Sequence, residues 1–389
     1  MIVFDRNKLQ NSVLTEEADS LKSAGFIGKE QLDFIKKELP VLNSHKNILV
    51  RIGFFLLGSF LYSSICSAVS LLGLAAIERT WEIFPFVFGI IGIAGSEFLA
   101  KKDYYNHGLD DAFILGTILN FGAAVTITTD FHYVLPVSIV VTVISLIMFL
   151  RYIHLLSALL FYLALTITLG YAIFEYLEAG QAILPFFMML YGAGTYFLCK
   201  KMNKDLIEPY YSNGIRLIKS VSLILFYLSG NYFIVREFSA SLLNTYYEIS
   251  PEIPFALFFW AFTFIVPVCY FLYSLKSKDR IMLWISFLAI GFSFYSFRYY
   301  HSVLPIQIAL TLGGLILFGI AFFFIRKLKT KESGLTFKPD KISNSNTFLN
   351  AEALIIASTF GMKPEVKAPD SPMEFGDGGF SGGGSGGTF

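Results

Sequence analysis

From residue 48 onward the chain alternates long apolar runs with short polar breaks. Ten runs stand out, at about 48–76, 83–100, 110–128, 132–150, 152–174, 182–199, 215–235, 253–275, 281–297 and 303–325. Apolar residues follow one another within each run without strict alternation, which excludes barrel strands. A bilayer core of about 30 Å takes about 20 apolar residues of helix. The pattern therefore predicts an all-α, polytopic helical membrane protein with about ten transmembrane helices. Little more than Arg151 separates the fourth and fifth runs, so nine spans is the alternative count.

The two ends carry other patterns. "DRNKLQNSVLTEEADSLKSAG" predicts a helix closed by Gly25, and "GKEQLDFIKKELP" a second one stopped before Pro40. Residues 1–46 thus read as a cytoplasmic helical hairpin with Leu21, Phe26, Ile27, Leu32, Ile35 and Leu39 as its core. That core is too small to fold firmly alone, so the hairpin is expected to lean on the membrane domain or on a partner. Residues 47–326 form the membrane domain, and residues 327–389 a flexible cytoplasmic tail with one short helix in "NTFLNAEALIIASTFG". Eight of the twelve residues from 376 to 387 are glycine, which leaves little to bury against the entropy of ordering. Phe375, Phe380 and Phe389 are the tail's candidate contacts for a partner.

Composition agrees with the pattern. Of 389 residues 55% are hydrophobic, 17% aromatic and 15% charged, where a soluble domain carries about 25% charged. Mean hydropathy is +0.61. A net charge of +1 argues against a nucleic-acid partner and leaves membrane lipids as the obvious surroundings. The first run is too long for the core of a cleaved signal and is expected to stay as an anchor. Cys66, Cys199 and Cys269 fit no metal-binding spacing and read as small packing residues.

Charge also sets an orientation. Connections after the even runs carry Lys101, Lys102, Arg151, Lys200, Lys201, Lys204, Arg216, Lys219, Lys276, Lys278 and Arg280. Those after the odd runs carry only Arg79, Arg236 and Arg298, beside Glu78, Glu82, Asp130, Glu175, Glu178, Glu237, Glu248 and Glu252. Basic residues stay cytoplasmic in short loops, which predicts both termini inside.

Every even run opens on a proline between apolar residues: Pro85, Pro136, Pro185, Pro254 and Pro305, spaced by 51, 49, 69 and 51. Proline suits a first helical turn, so each could have been selected independently. The alternative is five helical-hairpin repeats, each a helix out, a short loop and a proline-led helix back. The long interval holds "KKMNKDLIEPYYSNGIR", which reads as an interfacial helix broken at Pro209. Pro267 lies inside the eighth run and predicts a kink.

Polar residues at membrane depth are the candidates for chemistry. The densest group is "KKDYYNHGLDDAF", with Asp103, His107, Asp110 and Asp111, and Glu97 one turn back in the second run. Asp110 and Asp111 on a first turn favour the positive end of the helix dipole and need no function. The functional reading is a proton, cation or hard-metal site. Asn120 in the third run suits interhelical hydrogen bonding. Lys219 in the seventh is expected to snorkel to the cytoplasmic surface, as is His154 near Arg151. Hydrolase, metalloprotease, P-loop and dinucleotide signatures are not seen in the sequence, and no catalytic residue, metal or cofactor is assigned.

"SLKSAGFIGKEQLDFIKKEL" resembles the opening of bacterial predicted membrane proteins in domain-of-unknown-function families, where a short helical hairpin precedes many spans. "GLDDAFILG" and the glycine-rich end are similar to multi-pass proteins of Bacteroidota whose activity is uncharacterised. The resemblance implies an inner-membrane location and no known activity. The expected function is a non-enzymatic scaffold or envelope-associated factor whose hairpin or tail meets a protein partner. A small-solute transporter or channel is the alternative, and an enzyme built on residues 103–111 a third reading. Reporter fusions after residues 102, 201, 278 and 331 are expected to report cytoplasm, and those near 130, 178, 245 and 300 the periplasm. One reversed assignment in the middle means a miscounted span.

Overall fold

The computed structural model describes residues 2–23, 26–45, 47–72, 81–130, 133–178, 180–205, 209–242, 252–277, 279–301 and 305–328. Gly25, the connections with Glu78, Arg79, Glu248 and Lys278, and the tail with its expected helix lie outside these residues. The described residues are helical, with one isolated parallel bridge between Asn43 and Tyr104. Two polar helices come first, α1 (Arg6–Ser23) and α2 (Lys29–Glu38). The apolar runs become α3 (Ile48–Leu72), α4 (Phe84–Lys101), α5 (Leu109–Thr128), α6 (Val134–Tyr152), α7 (Leu155–Tyr176) and α8 (Gly180–Asp205). Then follow α9 (Ser212–Gly230), α10 (Tyr232–Leu242), α11 (Ala256–Ser277), α12 (Arg280–Tyr300) and α13 (Ile306–Leu328).

Eight described helices are long and apolar enough to cross a membrane, or nine if the bent pair α9–α10 is one span. The helix α13 occupies the place of the tenth run. The fourth and fifth runs are separate helices. Ile153 takes a left-handed φ of 56° and ends α6, and the His154 ring accepts from the Ser157 N–H to start α7. A β-branched residue rarely adopts that conformation, and burial of Ile153 among the core side chains holds it there.

Two expectations need correction. The seventh run is not one straight span: it bends by 73° between α9 and α10, at Asn231. Nor does the insertion before it form a separate interfacial helix among the described residues. Its first half extends α8 to Asp205, and Pro209–Tyr211 make a single 3-10 turn leading into α9.

The helices pack as antiparallel hairpins, but in a different phase from the expected repeat. The closest consecutive pairs are α4 with α5, α6 with α7, α8 with α9, and α11 with α12, and α3 packs as closely on α5. Four of the five proline-led helices, α4, α6, α8 and α11, therefore pack most closely on the helix after them, through the connection at the basic end, and less on the helix before them. Pro85 and Pro136 sit in first turns. Pro185 lies inside α8, and Pro254 and Pro305 just precede α11 and α13, so the five prolines are not equivalent caps.

Small residues allow the closest of these contacts. Gly89, Gly92 and Gly95 line one side of α4, and a methyl at Gly92 would lie 2.3 Å from Thr117 Oγ1 and 3.2 Å from the Phe113 carbonyl of α5. Such small-residue faces let membrane helices approach where no hydrophobic force drives them together. Hydroxyls in the spans close on the preceding turn, as Ser96 does on the Gly92 carbonyl (2.8 Å) and Thr117 on that of Phe113 (2.9 Å).

The described residues fall into two units, 2–14 with 39–323 and 15–38 with 324–328. In the larger, Phe4, Leu9 and Leu42 share a core with Ile114, Ile118, Met148 and Tyr152. The ends of the first 46 residues therefore belong to the packing of the membrane helices. In the smaller, Leu32 is buried and Lys36 pairs with Asp19 at 2.8 Å. Leu21 and Phe26, expected in the hairpin core, are instead exposed, at 37% and 58%.

Gly92→Ala is expected to destabilise the chain by about 1–3 kcal/mol, because neither the Thr117 side chain nor the Phe113 backbone can withdraw far. Gly291→Ala, where a methyl meets nothing within 4 Å, is the control. Thermal unfolding of both variants in one detergent checks the difference.

Candidate functional site

Asp103, His107, Asp110 and Asp111 lie where the turn joining α4 to α5 meets the segment leading into α3. This turn is tightly wound. Asp103, Asn106 and Gly108 have φ of 62°, 51° and 107°. Only Gly fits at 108, since a methyl there would lie 2.3 Å from the Arg51 carbonyl. Asp110 holds the turn shut: its Oδ1 accepts from the His107 N–H (3.0 Å) and the Gly108 N–H (2.9 Å). The Asp110 carboxylate thus serves backbone donors just before α5.

Asp111 points the other way, into the bundle. Arg51 of α3 grips it with both arms, Nε to Oδ2 at 2.6 Å and a terminal N–H to Oδ1 at 2.8 Å. His154 Nε2 lies 3.1 Å from Oδ1, a close polar contact rather than an aligned hydrogen bond. Because His154 Nδ1 accepts from the Ser157 N–H at 3.2 Å, a neutral ring carries its proton on Nε2, facing the carboxylate. Asp111 and His154 are buried and Arg51 is partly so. The cluster joins α3, α5 and the start of α7 and balances its charge internally.

The remaining candidates separate into further pairings. Glu97 of α4 accepts from Arg151 Nε and from the Tyr152 hydroxyl (2.7 Å), both on α6. Asp103 pairs with Lys8 of α1. The His107 ring lies against other rings: His45 at 4.2 Å, Phe54 at 4.4 Å and Tyr104 at 4.7 Å between centroids. Asn120 Nδ2 donates to the Tyr62 hydroxyl (3.0 Å), which donates to the Phe88 carbonyl (2.7 Å), tying α5 to α3 and α4.

Lys219 does not simply snorkel. Its Nζ pairs with Asp279 Oδ2 at 2.9 Å, and Asp279 Oδ1 caps α12 by accepting from the N–H groups of Ile281 (3.1 Å) and Met282 (3.3 Å). Burial opposes the charged form of Asp279, but Lys219 and the two N–H donors outweigh it and hold the carboxyl below its usual range.

A second polar group was not anticipated. At the break between α9 and α10, Asn231 is fully buried. Its amide donates to the Tyr227 hydroxyl (2.9 Å), and its oxygen accepts from Ser296 Oγ (3.1 Å) and the Ile234 N–H (3.3 Å). Thr263 Oγ1 takes the Tyr232 N–H at 2.9 Å. Arg236 donates to the Tyr232 hydroxyl (2.9 Å) and lies 4.5 Å from the Tyr300 ring centroid. Helix ends inside a membrane need such partners, because no water supplies them. The "SGNY" turn signal within an apolar run was the available clue. Arg51 had one too: it is a lone charge four residues into the first helix.

Among the described residues no group of three or more His, Cys, Asp or Glu side chains is arranged to hold a metal ion. The chain matches no protein-family model, no curated protein and no solved structure. The fold and site define a multi-pass α-helical membrane protein with an internally paired polar end.

Asp111→Asn is expected to destabilise the fold by about 3 kcal/mol, since it strands Arg51 and His154. That is the low end for a buried pair because the Arg51 side chain is 28% exposed. Asp110→Asn keeps an acceptor oxygen and is expected to cost about 1 kcal/mol or less. The double variant Arg51→Met with Asp111→Leu is expected to lose less than Asp111→Asn alone. Denaturant unfolding of the three variants in mixed micelles checks the order.

Proposed function

We propose that the chain is a non-enzymatic protein of the bacterial inner membrane, a scaffold or envelope-associated factor with both termini in the cytoplasm. The orientation rests on the basic residues of alternate connections, and the inner-membrane placement on the resemblance of the opening and the tail to bacterial multi-pass proteins. One observation carries the functional reading. Glu97, Asp103, Asp110, Asp111 and Lys219 are each taken up by another group of the same chain. Groups committed in this way hold helices together and are poor acids, bases or ion ligands. The protein partner would meet the chain through the hairpin of α1 and α2, where Phe34 is 65% exposed, or through the tail.

The broken span supports a second reading, a small-solute transporter or channel. Transporter sites are commonly built on discontinuous helices, and α9 and α10 with buried Asn231 have that form.

Proteoliposomes holding the purified chain separate the two. For a scaffold, permeability to ions and small solutes is expected to equal that of lipid alone. A photo-reactive residue replacing Phe34 is then expected to give discrete protein adducts in cells, and one replacing Leu57 on α3 none. A solute flux that Asn231→Leu abolishes overturns the scaffold in favour of transport.

A further inference from the structure

The segment leading into α3 is held to the turn between α4 and α5 by few bonds. The Asn43 N–H donates to the Asp103 carbonyl (2.8 Å), the Tyr105 N–H to the Asn43 carbonyl (3.1 Å) and the His45 N–H to the Asn106 carbonyl (3.4 Å). What closes over these bonds is a set of rings. His45 stacks on Phe54 at 4.9 Å with the planes 4° apart, and His107 leans on both, with Tyr104 against its edge. His107 is 8% exposed, and its Nδ1 and the Nε2 of His45 are enclosed without a hydrogen-bond partner. These imidazoles serve no pairing described above. A neutral imidazole tolerates an enclosed ring nitrogen at modest cost. A protonated one does not, because both nitrogens then carry N–H groups and one would be buried with no acceptor.

We propose that His45 and His107 form a proton-sensitive latch, which holds residues 39–45 on the 102–106 turn while the His107 ring is neutral and releases them when it is protonated.

The surroundings decide the sign. Acting on His107 are Asp110 and Asp111 from α5, the latter paired with Arg51 from α3, and the Tyr104 ring from the turn lies at its edge. The two carboxylates favour an imidazolium, but Asp110 Oδ1 is already shared by two N–H groups and Asp111 is neutralised by Arg51. The rings of Phe54 and Tyr104 offer a weak attraction to a cation. Burial, and then the neighbouring His45, push the His107 pKa below that of a free imidazole. A base whose pKa is lower in the closed form stabilises that form above the ordinary imidazole range, and the stabilisation is lost as pH falls below about 6.5. Closed at neutral pH and open on acidification is therefore the direction. The latch does not depend on whether the chain is a scaffold or a transporter.

Hydrogen exchange of the full chain in lipid nanodiscs tests this, at about pH 7.5 and about pH 5.5, either side of the free imidazole pKa. After correction for the chemical rate, amides of residues 39–45 and 102–107 are expected to lose protection several-fold on acidification. Amides of α6 and α7 are expected to hold theirs. His107→Phe keeps a ring in the stack and removes the proton site, and is expected to abolish the pH response; His107→Gln is the second variant should the first not fold. Equal protection of the wild type at both pH values overturns the latch, as does a response that survives in these variants.

Discussion

A single carboxylate in a nearly dry place organises the basic end of this bundle. Asp111 lies in the first turn of a helix that packs against four others, and its charge cannot remain there alone, since removing an ion from water costs several kcal/mol. Arg51 and His154 are the answer, and each brings its own element. Arg51 fixes the depth of α3. His154 fixes the start of α7 through Ser157, and so the two-residue turn that follows α6. With α3, α5 and the α6–α7 hairpin held, Glu97 and Arg151 meet across α4 and α6 almost as a consequence. Asp110, the neighbouring residue, turns away to the backbone because its position on the helix faces the preceding turn. Two adjacent carboxylates of one type thus do different work through an angle of about 100° around the helix.

Much of the fold was legible in the sequence. Bilayer-length apolar runs have few alternatives to helices, and among the described residues each of the ten runs carries helix, the seventh as a bent pair. The two polar helices before them were also anticipated, from Gly and Pro punctuation. What hydropathy could not supply was which helix touches which. The proline-led runs suggested pairs in one phase, and the packing chose the other, because Gly89, Gly92 and Gly95 face α5 rather than α3. A face is a property of two helices together, and one run of residues does not contain it.

The candidate site was half legible for the same reason. Carboxylates at 97, 103, 110 and 111 were conspicuous as charges beside apolar runs. Their partners were less so: Arg51 was hidden inside a run, and His154 looked like a surface residue next to Arg151. Sequence proximity grouped five residues that the structure distributes among separate pairings. The break at Asn231 was missed because "SGNY" interrupts the apolar run for too few residues to lower its average.

That break has a consequence for depth. Asn231 accepts from Ser296, the seventeenth residue of α12. At 1.5 Å per residue Ser296 stands about 24 Å along a helix about 31 Å long. The bend thus lies in the half of the bundle opposite Lys219 and Asp279, about 7 Å short of that end of α12. A chain that turns by 73° there leaves the direction of its own helix before its neighbour α12 has ended. Beyond the turn, Arg236 donates to the Tyr232 hydroxyl and Glu237 accepts from that of Tyr300, and the buried amide serves as the corner post of the bend.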